Sequence, residues 1–549
     1  MTETLQPRKH PIALPFLFFS EMWERFGYYL MIGIFTLYLK DVKNGFAMNE
    51  SEAADLYGTF IALVFFTPFL GGLLADRYLG YRRSIVIGGI MMGIGYCMMG
   101  VHNLTALYVA MTLVIVGNGF FKPNISTLLG NVYSVPQYQH KKDEGYNIFY
   151  MGINIGAFVC NFFGAVLYNT LGWSYAFVAA GIGMFIGVII FLIGTKHYKA
   201  ADIKKGTQAG DMSMTKITLL IIVPSVVAGI LGWLIPGSLF GSDSTDAFIF
   251  ACIPVIYFYT SLYLKSAPDE KRPMAALLAI FVVVILFWAV FKQNGSALTT
   301  WADRYTDRSV TGTAETVFEK VRLAQTLAYK KDSVALYDEQ FRLQKTADGQ
   351  VLKTVDYPVY FRNDKNAQAL AEGAKVNVWN TNLSQSINPG WVIVLTPLVI
   401  AFFAFLRKRN KEPSTPAKIA WGLLISALSV LVMVAAVKVN SNGGEKASMW
   451  WLITSYGVIT IGELLLSPMG LSLVSKLSPV RITSLMMGGW FVSTSIGNKL
   501  SGVLASMWDK YEDKSNYFWV NFALLCFAAI MGFAMLKWLN KIMKEKGLN

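Results

Sequence analysis

The run ALPFLFFSEMWERFGYYLMIGIFTLYL, residues 13–39, decides how the rest of the chain is read. It is long enough to cross a bilayer, since a spanning helix needs about 20 mostly apolar residues. Its basic flank, Arg8, Lys9 and His10, gives it the outline of a secretory signal. Glu21, Glu24 and Arg25 exclude that reading, because the apolar core of a signal peptide does not tolerate them. The run is expected to be a retained first membrane helix with ionisable groups at depth. Such groups are costly in lipid and mark ion or substrate pathways.

Thirteen further apolar stretches follow, at 52–75, 84–101, 104–130, 145–170, 174–196, 216–236, 246–264, 274–303, 389–406, 417–438, 449–474, 482–506 and 515–540. Fourteen helices of this kind occupy about 280 residues, in keeping with the 54% apolar content of the 549-residue chain. Charged residues make up 15% and the mean hydropathy is +0.45, whereas soluble proteins carry about 25% charged residues. A large soluble enzyme and a disordered chain are thereby excluded. The expected fold is an all-α polytopic membrane protein.

The net charge of +14 belongs mainly to short segments between apolar stretches. With the N-terminus inside, the inner segments are Arg8–Lys9, Arg77–Arg83, Lys141–Lys142, Lys196–Lys205, Lys265–Arg272, Arg407–Lys411, Lys476–Arg481 and Lys537–Lys546. This is the positive-inside pattern, and an even helix count puts both termini in the cytoplasm. No basic patch with interleaved aromatics points to nucleic acid. Cys97, Cys160, Cys252 and Cys526 each lie in an apolar stretch without CxxC spacing, so neither disulfides nor a metal site are expected. No cofactor is implied.

The polar linker after 196 and the two helices behind it divide the chain. The expected domains are a six-helix bundle over 1–196, a linker with two additional helices over 197–273, and a second bundle formed by 274–303 and 387–549. A polar stretch, 304–386, interrupts the second bundle on the outer side. Within it, 315–345 reads as helical and 350–362 as extended. A loop of about 80 residues is too long for a plain connection, so the stretch is either a docked domain or a mobile flap.

Seven ionisable residues lie at depth: Glu21, Glu24, Arg25, Lys122, Lys292, Glu463 and Lys499. The histidines, His10, His102, His140 and His197, fall at helix ends or in loops, so carboxylates must carry any proton that crosses. Glu21, Arg25 and Tyr28 follow i, i+4, i+7 spacing and share one helix face. A buried carboxylate keeps its charge beside a cation and takes up a proton when the cation leaves. Lys499 is expected to snorkel toward an interface. Trp288 and Trp490 read as packing or lipid-facing residues. Two six-helix halves with charges near the midplane fit an ion-coupled transporter.

The stretch Glu21-Met22-Trp23-Glu24-Arg25-Phe26-Gly27-Tyr28-Tyr29 resembles the E-x-x-E-R-F-x-Y-Y motif of the proton-dependent oligopeptide transporter family, within the major facilitator superfamily. GGLLADRYLGYRR (71–83), GNGFFKPNIS (117–126), YNIFYMGINIGAF (146–158), QSINPGW (385–391) and GELLLSPMGLSLVSKLSP (462–479) resemble its further signatures, in order. The resemblance spans nearly the whole chain except about 304–384. It implies the major facilitator fold, two six-helix bundles with two extra helices between them, in a bacterial inner membrane.

It also implies proton-coupled symport of di- and tripeptides. Glu21, Glu24, Arg25 and Lys122 would couple protons. Arg25 and Lys122 would attract the peptide carboxylate and Glu463 its amine. Asn154 and Asn388 would hydrogen-bond the peptide, and Tyr28, Tyr29, Trp288 and Trp490 would line its side-chain pockets. Three positions depart from the family. Ile32 stands where many members have Arg, Lys292 where many have an acid, and Phe65 where a Tyr is usual. Lys292 is expected to reach toward Glu463 or the substrate. The rival readings are a family member carrying nitrate, a glucoside or another solute, a non-transporting receptor or scaffold, and a membrane enzyme. The 304–386 stretch contains neither His nor Cys, which weighs against the last.

Overall fold

A computed structural model describes residues 9–138, 141–202, 214–478 and 483–546. Arg8, His140, Lys204, Lys205 and Arg481 lie outside the described residues. The first part of the chain forms α1 (Ala13–Lys40), α2 (Glu50–Leu74), α3 (Tyr81–Met99), α4 (Leu104–Val132), α5 (Lys142–Thr170) and α6 (Trp173–Tyr198). Next come α7 (Met214–Ile217), a π turn over Thr218–Ile222, α8 (Val223–Trp233) and α9 (Asp243–Leu264). After these are α10 (Pro268–Phe291), α11 (Ala297–Arg304) and α12 (Gly312–Lys320). The last are α13 (Ile387–Lys408), α14 (Thr415–Val439), α15 (Met449–Leu477), α16 (Thr483–Ser506) and α17 (Lys514–Glu545). Among the described residues, 11 helical stretches are long and apolar enough to cross a membrane. Large apolar side chains such as Leu231, Tyr257, Leu398 and Ile530 point outward, as lipid-facing helices require.

Two apolar cores hold the helices. One draws on residues from Ala13 to Tyr198, where α1 packs on α5 and α6, α3 on α4 and α6, and α2 on α4. The other draws mainly on residues from Ile217 to Met543, where α14 packs on α15 and α17, and α10 on α16 and α17. The halves meet chiefly along α2 against α16 and α5 against α13. Glycine makes the first of these contacts possible. A Cβ on Gly502 would lie 2.7 Å from the Gly58 Cα, so only hydrogen on both sides lets the backbones touch.

The sequence run 274–303 is broken. After α10 a 3-10 turn covers Lys292–Gly295, and Ser296 leaves helical geometry (φ −133°, ψ −95°) before α11. The polar, glycine-containing QNGS segment favours such a break, and it sets Lys292 at the end of α10.

The polar stretch is ordered differently from its sequence reading. The expected helix over 315–345 ends at Lys320, and Arg322 adopts a left-handed φ of 57° that stops it. Strands β1 (Ala324–Ala328), β2 (Asp332–Ala335), β3 (Lys353–Asp356) and β4 (Lys375–Trp379) follow. β1 pairs antiparallel with β4, and β2 with β3. Within the expected extended segment, only β3 is a strand, and Val359–Phe361 forms a 3-10 turn. Pairing with strands distant in sequence, β4 for β1 and β3 for β2, overrides local helix preference here. Tyr360, Phe361, Ala367 and Val378 form a small core of their own. The stretch is docked on the first half: Asn169 of α5 donates to the carbonyls of Arg322 and Ala324 at 3.3 and 3.2 Å. Lys345 also pairs with Glu52 at 3.1 Å.

Candidate functional site

The charged face of α1 forms a closed cluster. Arg25 Nη2 donates to Glu24 Oε1 at 2.8 Å, and its Nε bonds the other oxygen of Glu24. Nε also lies 3.2 Å from Glu21 Oε1, one helical turn back. The three side chains are at most 4% exposed. Glu21 Oε2 is buried and has no hydrogen-bond partner among the described residues. The guanidinium sits 5.2 Å from the Tyr28 ring centre, and Tyr28 meets Tyr29 edge to face. Two carboxylates thus share one cation, with one carboxylate oxygen left free to accept a proton.

Lys122 lies on α4 beside Pro123, near enough to Glu24 and Glu21 for their charges to act on one another. Its Nζ stands 4.0 Å above the Phe65 ring of α2. From the other half, Lys292 Nζ lies 5.2 Å from the same ring and 5.2 Å from Trp288. The family departure at Phe65 therefore sits between two lysines. Trp288 Nε1 is buried and has no hydrogen-bond partner among the described residues.

Glu463, on α15, accepts a hydrogen bond at 3.1 Å from Asn388 of α13, whose amide also donates to Thr460 at 2.8 Å. Lys292 is close enough for its charge to act on Glu463. Its nearest recorded ring contacts are Phe65, Trp288 and Phe291. Asn154 turns back on its own helix, donating to Tyr150 O at 3.0 Å. Trp490 is 3% exposed in the second core and lies against Gly470.

The expected snorkelling of Lys499 does not occur. Its side chain is 2% exposed, its Nζ is 2.6 Å from Asp55 Oδ1 of α2, and it also reaches Thr59 and Ser244. Burial inside the bundle, where water is out of reach, leaves a carboxylate as the compensating partner. Asp55 carries no sequence signal, because an acid in the first turns of a helix is ordinary. Further bonds join the halves at the same end. Lys40 Nζ donates to Glu50 at 2.9 Å and to Thr300 at 2.8 Å, and Thr300 donates to Glu50 at 2.6 Å. Thr36 donates to Gly295 O at 2.7 Å and Ser495 to Ala62 O at 2.6 Å. Asn161 of α5 donates to Ser386 at 3.1 Å. These bonds tie the two parts of the chain together at the end bearing Lys40 and the docked strands.

A sequence model of the POT family matches residues 82–318 and 375–520. The chain belongs to the POT family. Its members are membrane transporters and not enzymes, and the helices described above suit an integral membrane protein. The POT match skips 319–374, the part of the docked stretch that contains β1, β2 and β3. Dipeptide and tripeptide permease A of Proteus mirabilis is 28% identical over 93% of this chain and 90% of its own length. The di-/tripeptide transporter of Lactococcus lactis subsp. lactis is 27% identical, covering 90% and 89%. A crystal structure of a POT peptide transporter in complex with sulfate superposes with a TM-score of 0.74 at 27% identity, covering 97% of this chain and 96% of that one.

Proposed function

We propose that this POT family member imports di- and tripeptides together with protons by alternating access. Fourteen helices cross the inner membrane, both termini are cytoplasmic, and two six-helix halves, 1–196 and 274–549, rock about the central site. The additional pair of helices lies in 197–273, and the 304–386 stretch faces outside. The observation that carries the reading is the pairing of two chemistries across the halves. Arg25 with Glu24 and Glu21 is buried on one side, and Glu463 with Asn388 stands on the other.

A proton arriving at Glu21 or Glu24 weakens the hold on Arg25. Arg25 and Lys122 are then free to take the peptide carboxylate, while Glu463 takes the amine and Asn388 and Asn154 hydrogen-bond the backbone. Tyr28, Tyr29, Trp288, Trp490 and Lys292 surround the rest of the substrate. Proton and peptide each raise the affinity for the other, because binding free energies couple reciprocally. Filling the site with balanced charge favours closure. Opening toward the outside requires the bonds of Lys499, Lys40 and Asn161 across the halves to break. The test is uptake of a labelled dipeptide into proteoliposomes under an inward proton gradient, with unlabelled peptides and nitrate as competitors. Uptake that needs the gradient and yields to peptides supports the reading. Yielding to nitrate alone, or no uptake, overturns it.

A further inference from the structure

The two small sheets of the 304–386 stretch leave strand edges open. Among the described residues, β1 pairs with β4 and β2 with β3, while β1 and β2, joined only by Tyr329–Lys331, do not pair with each other. The bonds on the far side of each sheet fix which backbone groups are left over. In β4, Asn377 O accepts from Val310 N and Trp379 N donates to Arg308 O. Backbone groups of successive strand residues point to opposite sides, so β4 turns Val376 and Val378 toward Leu327 and Gln325 of β1. Thr326 therefore points its N–H and C=O away from β4. Leu336 N donates to Leu352 O on the β3 side, so by the same alternation Ala335 points its N–H and C=O away from β3.

Thr326 and Ala335 line one groove of about 1540 Å³, whose remaining lining includes the end of α1 and the turn between α5 and α6. Pockets for small molecules span about 300–1,000 Å³, so this space suits a chain of several residues. The helical body forms part of the lining, so the edges face a cleft and not open solvent, where another copy could pair with them. Stacked aromatic pairs contribute from both sides, Trp173 on Tyr168 with centroids 4.5 Å apart and Tyr329 on Tyr357 at 4.1 Å. Arg304 and Arg308, also in the lining, share Asp303 at 3.2 and 3.4 Å. Those three groups leave one positive charge in surplus.

We propose that this groove binds an extended peptide, longer than a di- or tripeptide, which adds as a strand along the open edges at Thr326 and Ala335. In strand addition the main-chain bonds supply affinity and side-chain pockets supply preference. The surplus arginine charge draws the carboxyl end, and the stacked aromatics meet the side chains. The groove is separate from the central charges, since Arg25, Lys122 and Glu463 do not line it. Strands β1, β2 and β3 fall in the part of the chain that the POT match skips. The inference goes beyond the transport reading and does not depend on it.

The probe is a fluorescent pentapeptide, Ala-Val-Thr-Val-Ala, bound to the purified full-length protein in the presence of excess unlabelled dialanine. Dialanine has a single peptide bond and cannot lie along the strand edges. The expected result is saturable binding that dialanine does not displace. N-methylation of alternate amides of the probe removes main-chain donors and keeps its sequence, and it weakens binding about tenfold. Ala335→Pro removes the outward N–H, a change that strand edges tolerate, and also weakens binding about tenfold. Ala335→Ser keeps that N–H and the affinity. No binding, full displacement by dialanine, or equal binding of the N-methylated probe overturns the proposal. These comparisons need only the wild-type protein, so a misfolded Ala335→Pro protein does not blunt the test. Full affinity in a folded Ala335→Pro protein overturns it as well. A protein dimer in light scattering that excludes the probe assigns the edges to a second copy and overturns it too. Dialanine uptake is followed separately in proteoliposomes, so a failure of the transport reading appears there and not in this binding.

Discussion

Replacing Asp55 by Asn keeps the side chain's shape and removes the charge that holds Lys499 across the α2–α16 interface. Lys499 is 2% exposed and Asp55 Oδ1 lies 2.6 Å from its Nζ, with the Thr59 and Ser244 hydroxyls at 2.7 and 3.0 Å. Removing one partner of a buried ion pair costs about 3–5 kcal/mol. The two hydroxyls stay in place and Asp55 is itself 23% exposed, which puts the cost near the lower end, about 3 kcal/mol. Water reaches Lys499 when α2 and α16 part at this end, so the cost falls on the closed arrangement alone. The ratio of closed to open molecules then drops about 100-fold. Spin labels at Asn44 and Lys510, exposed positions that follow α1 and α16, report this as a longer distance population in pulsed electron resonance. The background replaces the cysteines by Ser. Asp55→Asn combined with Lys499→Met restores much of the short distance, because an apolar pair has no charge to strand. An unchanged distance distribution in a folded Asp55→Asn protein refutes the claim that this pair holds α2 and α16 together at this end.

Glu24→Gln is expected to abolish uptake driven by a pH gradient and to spare counterflow exchange; equal loss of both removes Glu24 from proton coupling. Glu463→Gln costs about 3 kcal/mol of binding to peptides with a free amino end, about a 100-fold rise in half-saturating concentration. Unchanged affinity excludes Glu463 from the site. Gly502→Val places a Cβ 2.7 Å from the Gly58 Cα, so the halves cannot close and transport stops while the protein still folds. Wild-type exchange by this variant argues against closure along α2 and α16. Asp509, in the 3-10 turn between α16 and α17, is raised to about 6, chiefly by burial and then by Glu50. A carboxyl raised above its unfolded value lowers stability above its folded pKa and has no such effect below about pH 4. Asp509→Asn therefore raises the unfolding temperature at pH 8 and leaves it unchanged near pH 4, as a thermal scan in detergent reads directly.

The candidate site was legible because membrane burial makes charge conspicuous. Glu21, Glu24, Arg25, Lys122, Lys292 and Glu463 stand out in apolar runs, and the structure brings them into two facing groups. Asn154 enters only through resemblance, whereas the residues alone read Trp490 as packing or lipid-facing; the two side chains turn toward their own helix and core. Asp55, Glu50 and Thr300 carried no local signal, since each occupies an ordinary position near a helix end. Their importance comes from partners hundreds of residues away, Lys499 for Asp55 and Lys40 for Thr300.

By itself the sequence determined the apolar helices, their approximate ends and the deep charges, because bilayer thickness and the cost of buried charge act residue by residue along the chain. It did not determine the partner of Lys499, the β-pairing inside 304–386, or the shared Phe65 ring between Lys122 and Lys292. Only the tertiary structure decided these. An ion pair, a strand register and a cation over a ring each depend on which distant segments meet, and local periodicity carries no record of that meeting.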